Sequence, residues 1–307
     1  MMLFLGLVTV LTGVAMSQSS LVPVTSLVIP MVLASSSLGP RTLPWFVVFV
    51  LGVMVIVVAA TANDQLGVAG ARSESMLVDL RDRITKQGHI PALPEDWHAE
   101  AVTRSAGASS FAGDFMVASL SRDGDHFEVA VVDVSGKGEQ AGTRALLLSG
   151  AFGGLLGSMP PENFLPAAND YLLRQDWNEG FATAVHLALR LSTGEFEIRS
   201  AGHPPAVQMK AGSGRWAVHE AEGPILGLMP EAEFTVVRGV LNRGDALLMF
   251  TDGLVETPTR DIALGIDKLL GQGERLLRSG FVGGARRLIV QSDSINDDRA
   301  LFLLHRK

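Results

Sequence analysis

Asp114 and Asp133 bracket a stretch whose residue types imply that the two carboxylates face each other. Within Asp114–Asp133, two strand-forming runs lie on either side of Asp123-Gly124. Asp-Gly between two such runs signals a two-residue hairpin turn in which both central residues take positive φ. With the turn there, residues whose numbers share one sum pair across the hairpin, and Asp114 falls opposite Asp133. Directly opposed residues have Cβ atoms about 4.5–5.5 Å apart, a separation at which like charges repel. Either a shared proton or a metal ion must offset that repulsion.

Two further acids stand at strand ends. Asp252 follows the apolar run Ala246–Thr251, and Asp297 comes just before the final strand, Ala300–His305. If those strands are antiparallel neighbours, the end of one lies beside the start of the other and the two acids share a sheet edge. A single Asp at a strand end is usually a solvated turn residue. Four of them, two directly beside glycine, suit hard divalent cations that need oxygen ligands and room for water. Two such ions bridged by one aspartate would lower the pKa of a shared water and supply a nucleophile near neutral pH.

Composition narrows the alternatives. The 307 residues carry a net charge of −7 and no cysteine, so any metal is held by oxygen or imidazole. No basic cluster marks a nucleic-acid surface. Gly136-Lys137-Gly138-Glu139-Gln140-Ala141 fits the glycine pattern of a dinucleotide site. Against that reading, Asp133 would face the pyrophosphate, and a second helix follows where a strand is required. Nor is it a P-loop, because no Ser or Thr follows Lys137.

The elements that must position these residues begin late in the chain. Up to Asn63 the only charged residue is Arg41. Leu43–Ala62 is uncharged and long enough to cross a bilayer core of roughly 30 Å as a helix. Leu21–Ser35 and Met1–Met16 are shorter apolar segments, the first of the chain also resembling a signal-like segment or a truncated start. Two or three membrane helices are expected over residues 1–63, with the remainder cytoplasmic because Arg72, Arg81, Arg83 and Lys86 follow the last span. A linker over 64–90 carries a short helix with Met76, Leu77, Leu80 and Ile84 on one face, suited to packing on a domain or on a second copy. Residues 91–307 are then one globular domain. Glu139–Met159 and a segment opening at Pro160-Pro161 read as consecutive helices, and Ala182–Leu191, Phe196–Arg199, Ala206–Met209, Trp216–His219, Phe234–Val240 and Ala246–Thr251 as strands. Many antiparallel strands with paired helices give an α+β class, sheets faced by helices.

Six segments in order carry a resemblance: Ala112-Gly113-Asp114-Phe115, Val131-Val132-Asp133-Val134-Ser135-Gly136-Lys137-Gly138, Ala201-Gly202-His203-Pro204-Pro205, Gly223-Pro224-Ile225-Leu226-Gly227, Gly244–Glu256 and Asp297-Asp298. Together they resemble the SpoIIE/RsbU branch of the PPM, or protein phosphatase 2C-like, serine/threonine phosphatases. The resemblance implies a β-sandwich of antiparallel sheets flanked by helix pairs, with two Mn²⁺ or Mg²⁺ ions in the cleft at the sheet ends. It places metal ligands at Asp114, Asp133 (as the bridge), the Val134 carbonyl, Asp252 and Asp297, the last preferred over Asp298. It implies hydrolysis of phosphoserine or phosphothreonine on a regulatory protein, a STAS-type anti-sigma-factor antagonist. Lys137 and His203 are candidates for contact with substrate or loop; for His203 a loop-holding role is favoured over that of a general acid. The alternatives are a pseudophosphatase that binds a partner without turnover and, further off, a dinucleotide-binding oxidoreductase.

Overall fold

The computed structural model describes residues 6–12, 26, 28–37, 39, 42–55, 88–105, 112–136, 138–175, 177, 180–256, 262–291 and 297–307. The chain divides into two compact units, Met1–Leu77 and Val78–Lys307. In the first, residues 6–12, Val28–Ser37 and 43–55 are helical. Among the described residues no helix is long and apolar enough to cross a membrane. The expected span Leu43–Ala62 is helical over 43–55, and 56–62 lie outside the described residues, as does the expected linker helix with Met76, Leu77, Leu80 and Ile84.

The second unit is a two-sheet sandwich. Its strands are β1 (Trp97–Arg104), β2 (Phe115–Leu120), β3 (His126–Val134), β4 (Ala182–Arg190), β5 (Glu195–Ala201), β6 (Ala206–Lys210), β7 (Arg215–His219), β8 (Val236–Val240), β9 (Ala246–Phe250) and β10 (Arg299–Arg306). One sheet has the order β1-β10-β9-β6-β7 and the other β2-β3-β4-β5-β8, every pairing antiparallel. The helices are α1 (Gly138–Leu155), α2 (Pro161–Leu173), α3 (Ile262–Ser279) and α4 (Gly284–Val290).

Alternation along the strands explains the layering, because successive side chains point to opposite faces. In β3, Phe127, Val129 and Val131 enter the core between the sheets, while Ala130, Val132 and Val134 pack outward with Leu148 and Phe152 of α1 and Phe164 and Leu165 of α2. On the other sheet Leu247 and Met249 of β9 point inward, and Leu248 and Phe250 meet Leu269 of α3 and Leu288 of α4. The small residues Ala130, Ala182, Ala184 and Ala201 on the outer face let α1 and α2 lie close to the sheet. The expected helix pair is present, though the first ends at Leu155 rather than Met159, and the strand expected from Phe234 begins at Val236.

The hairpin register is the one read from the sequence, with Phe115 opposite Val132 and Leu120 opposite Phe127. Its turn is different. Gly124 has φ of +74°, but Asp123 is not among the residues at positive φ, so this is not a two-residue turn with both centres left-handed. The loop is wider: Ser121 N donates to His126 O at 2.8 Å, and Gly124 N donates to Ser121 O at 2.9 Å. The Asp123 carboxylate accepts from Asp125 N at 3.1 Å and from the Ser121 hydroxyl. A short acid that can bond its own loop stabilises this form without positive φ, and the symmetric widening leaves the register unchanged.

Phe127 of β3 stacks on Phe302 of β10 across the sandwich, ring centroids 6.2 Å apart and both side chains fully buried. Phe302→Ala should lower unfolding free energy by about 3–5 kcal/mol, measured by urea denaturation. A loss under about 1 kcal/mol would show that the inter-sheet core does not rest on this pair.

Candidate metal centre

The acids gather at one end of the sandwich. Asp114 precedes β2 in register with Met116, and Asp133 is in register with Val131, so both share the inner face of their sheet. From the other sheet, Leu301 pairs with Phe250, so continuing that register sets Thr251 opposite Ala300 and Asp252 beside Arg299, just past Asp297 and Asp298. Asp252 opens a single 3₁₀ turn, Asp252–Leu254, whose carbonyl collects Val255 N and Glu256 N at 2.8 and 2.7 Å.

One hydrogen bond joins the two halves. The Thr251 hydroxyl donates to Oδ2 of buried Asp114 at 2.6 Å and accepts from Ala300 N at 2.8 Å. A second tie runs from Gly113 N to Oδ2 of Asp298 at 2.6 Å. The glycines here are places of close approach. A Cβ at Gly113 would come within 2.9 Å of the Val134 carbonyl oxygen, and one at Gly253 would collide with the Asp298 backbone carbonyl. Gly136, at φ of +115°, turns the chain just after Val134.

Electrostatics register this crowding. Burial first, then the Asp133 charge, hold the Asp114 carboxyl well above the usual carboxylate range, with the Thr251 hydrogen bond opposing them. Burial and then Asp252 push Asp133 from 3.8 up to about 7, against a hydrogen bond from Asp114. Asp252 is raised by burial and then by Asp297. The strongest charges acting on these acids are thus other acids. Of the two offsets to the Asp114–Asp133 repulsion, these shifts favour a shared proton where no cation offsets the charge.

Among the described residues no three His, Asp or Glu side chains form a ready cage for one ion. The donor set nonetheless suits hard cations, since Mg²⁺ takes one or two carboxylates and keeps several waters. Asp114, Asp133, Asp252, Asp297 and the Val134 carbonyl are brought to this end, and Asp298 joins them through Gly113. Sequence reading preferred Asp297 to Asp298 and missed Thr251; extending the β9–β10 register by one pair finds Thr251. Lys137 lies outside the described residues.

His203 is buried and bonded within its loop. It is 7% exposed, and its Nδ1 is 2.8 Å from the Thr183 hydroxyl. Ser200 clamps its backbone, accepting from His203 N at 3.2 Å and donating to His203 O at 3.1 Å. Burial pushes the imidazole down to about 3, so near neutral pH the ring is neutral and is not an acid poised to protonate a leaving group.

A family model described as Stage II sporulation protein E (SpoIIE) matches residues 123–307. Phosphoserine phosphatase RsbU of Bacillus subtilis strain 168 is 22% identical over 225 residues, covering 70% of this chain and 65% of that protein. Among solved structures, the RsbU and RsbW domains of Rv1364c from Mycobacterium tuberculosis align with a TM-score of 0.63 at 26% identity, over 72% of this chain and 62% of that one. RsbX, crystallised in complex with magnesium, aligns with a TM-score of 0.54 at 18% identity, over 70% of this chain and 98% of that one, a likeness of fold. The chain therefore spans just under two thirds of RsbU and of the mycobacterial chain.

The raised carboxyls give a pH prediction with a definite sign. Between 3.8 and about 7 the folded chain keeps on Asp133 a proton that the unfolded chain has lost. Stability in chelator should therefore fall as pH rises through that window, by an amount on the order of a few kcal/mol. Asp133→Asn should flatten the fall, and added Mn²⁺ should reverse it above pH 7, both read from thermal unfolding across pH. Stability that instead rises through this window would refute the assignment of a shared proton.

Proposed function

The chain belongs to the SpoIIE family, and from that premise we propose that it is a membrane-anchored, metal-dependent protein serine/threonine phosphatase acting on a phosphorylated regulatory protein. One observation carries the reading: four acids from two sheets meet at one end of the sandwich, and their main electrostatic neighbours are each other. Divalent cations answer that imbalance; when bound they activate water for attack at phosphorus and offset charge on the phosphoryl oxygens.

The chain's own residues supply the frame. Asp133, beside both Asp114 and Asp252, is the natural shared ligand, and the Val134 carbonyl next to it is a further oxygen donor. Thr251 holds Oδ2 of Asp114 from the second sheet and so sets the orientation of that carboxylate beside Asp133. Gly113 N fixes Asp298, so Asp297 is the more available of the last two acids. With His203 unprotonated, the leaving alkoxide takes its proton from solvent rather than from this ring. The pseudophosphatase alternative lacks support from any missing acid, and the dinucleotide reading fails because β4, reached only after α1 and α2, pairs antiparallel with β3.

The name of RsbU supports a phosphoserine substrate, and a STAS-type anti-sigma-factor antagonist is the protein to test first. Anchoring is supported by the uncharged run up to Asn63, broken only by Arg41, and by exposed Leu7, Leu11, Ile29, Val32, Trp45, Val48 and Val55 on its helices. Basic residues after the run support a cytoplasmic catalytic unit.

The full chain with Mn²⁺ should dephosphorylate a phosphoserine-bearing STAS protein and hydrolyse p-nitrophenyl phosphate. Asp133→Asn should lower both rates by about 100-fold or more. Undiminished turnover in that variant would sink the mechanism, whereas absence of Mn²⁺ binding by calorimetry would favour the pseudophosphatase. Recovery of the expressed chain in the soluble fraction would remove the anchor and leave the chemistry standing.

A further inference from the structure

Thr183 occupies the register position opposite Asp133. Opposed residues of an antiparallel pair share a face, with Cβ atoms about 4.5–5.5 Å apart. That face is the inner one, because Val185 and Leu187 of β4 and Val129 and Val131 of β3 fill the inter-sheet core. The Thr183 hydroxyl therefore lies next to Asp133 while bonding Nδ1 of His203 at 2.8 Å.

On its other side the ring lies toward the second sheet. His203 Nε2 is buried with no hydrogen-bond partner, and the Phe250 backbone carbonyl is near enough to favour a proton on the ring, against the larger opposing effect of burial. Phe250 ends β9 two residues before Asp252. The loop is shaped to hold the ring there: Gly202 turns at φ of +63° where the Ile225 side chain fills the space a Cβ would need, and Ser200 makes both backbone bonds to His203. A buried polar group without a full partner is costly unless its position serves something.

We propose that His203 is a positioning residue, a cross-sheet strut that acts through Thr183 to set the separation of Asp133 and Asp252 and hence the site's affinity for divalent cations. The inference rests on the reading that these acids hold cations. Thr251 ties Asp114 to the start of β10, and the buried His203 ring, bonded to the partner strand of Asp133, fills the space toward the Phe250 carbonyl at the end of β9. The tie and the wedged ring together hold the gap between the sheets on both flanks of the acids. A strut of this kind contributes rigidity and touches neither substrate nor ion.

The test uses the full chain and four variants: Thr183→Val, which keeps shape and removes the hydroxyl, Thr183→Ser, His203→Ala and the Thr183→Val/His203→Ala double. Mn²⁺ affinity is measured by calorimetry, and p-nitrophenyl phosphate turnover is measured against Mn²⁺ concentration and pH. Thr183→Val and His203→Ala should each weaken Mn²⁺ binding about 10-fold or more, the usual range for residues that orient metal ligands. The double should be little worse than either single, because both break one strut. Saturating Mn²⁺ should restore most of kcat, Thr183→Ser should behave as wild type, and the pH profile should keep its shape. If His203→Ala does not fold, Thr183→Val and Thr183→Ser decide the matter. Unchanged Mn²⁺ affinity with only a lower melting temperature overturns the proposal, as does a kcat loss with an altered pH profile that Mn²⁺ does not repair. A wild-type chain that takes up no Mn²⁺ overturns the functional reading and the strut together; metal uptake by wild type with unaffected variants overturns the strut alone.

Discussion

Burial and like charge act on the same carboxylates at the open end of this sandwich, and most of the local structure answers that constraint. Asp114 and Asp133 cannot separate, because the β2–β3 register sets them opposite each other. Asp252 and Asp297 cannot withdraw, because the end of β9 and the start of β10 are neighbours in the other sheet. Each acid raises the proton affinity of the next. A fold can carry such a destabilising cluster only if the remainder is well packed. Here three apolar clusters do so, one between the sheets and one beneath each helix pair.

Arg144 beside the loop after Asp133 is committed to that loop's backbone and to a ring. Arg144 of α1 donates to Ser135 O at 3.2 Å and lies over the Trp177 ring at 5.1 Å. Its role is to hold the loop that follows the acid rather than to neutralise the acid. Compensation by a small hard cation differs from compensation by arginine in one respect that matters for hydrolysis. A cation with few protein ligands keeps coordinated water, whereas a guanidinium fills its acids with N–H donors. An end of the sandwich that gathers oxygen donors is therefore suited to delivering water to a substrate.

Much of this was legible in the sequence because antiparallel register is arithmetic. Once a turn is centred between Asp123 and Gly124, every cross-strand pair follows, and widening the loop on both sides altered none of them. The turn type itself was misread because Asp123 bonds within its own loop instead of adopting positive φ. The same arithmetic applied to β3–β4 and β9–β10 would have produced Thr183 and Thr251, but polar residues inside strands carry no charge pattern to draw attention. α3 and α4 were overlooked for another reason. Ile266, Leu269 and Leu270 have helical spacing, but glycines and charges interrupt the segment and dilute its periodicity. His203 could not be settled from sequence, since whether a histidine donates protons or props a loop depends on burial, which the residue type does not reveal.

The acid–glycine pairs in this chain have a common physical origin. Gly113 precedes Asp114 and Gly253 follows Asp252, and each glycine faces backbone from another segment: the Val134 carbonyl in one case and the Asp298 carbonyl in the other. Carboxylates from four segments can meet only if the segments' backbones meet first, and a Cβ at either position would hold them apart. Neither glycine has a left-handed backbone, so the requirement is space and not conformation. Alanine at position 112 is tolerated for the same reason, since the close approach falls on its neighbour. The pattern Gly-Asp and Asp-Gly at strand ends thus reports convergence of backbones, and the chemistry of the acids follows from that convergence.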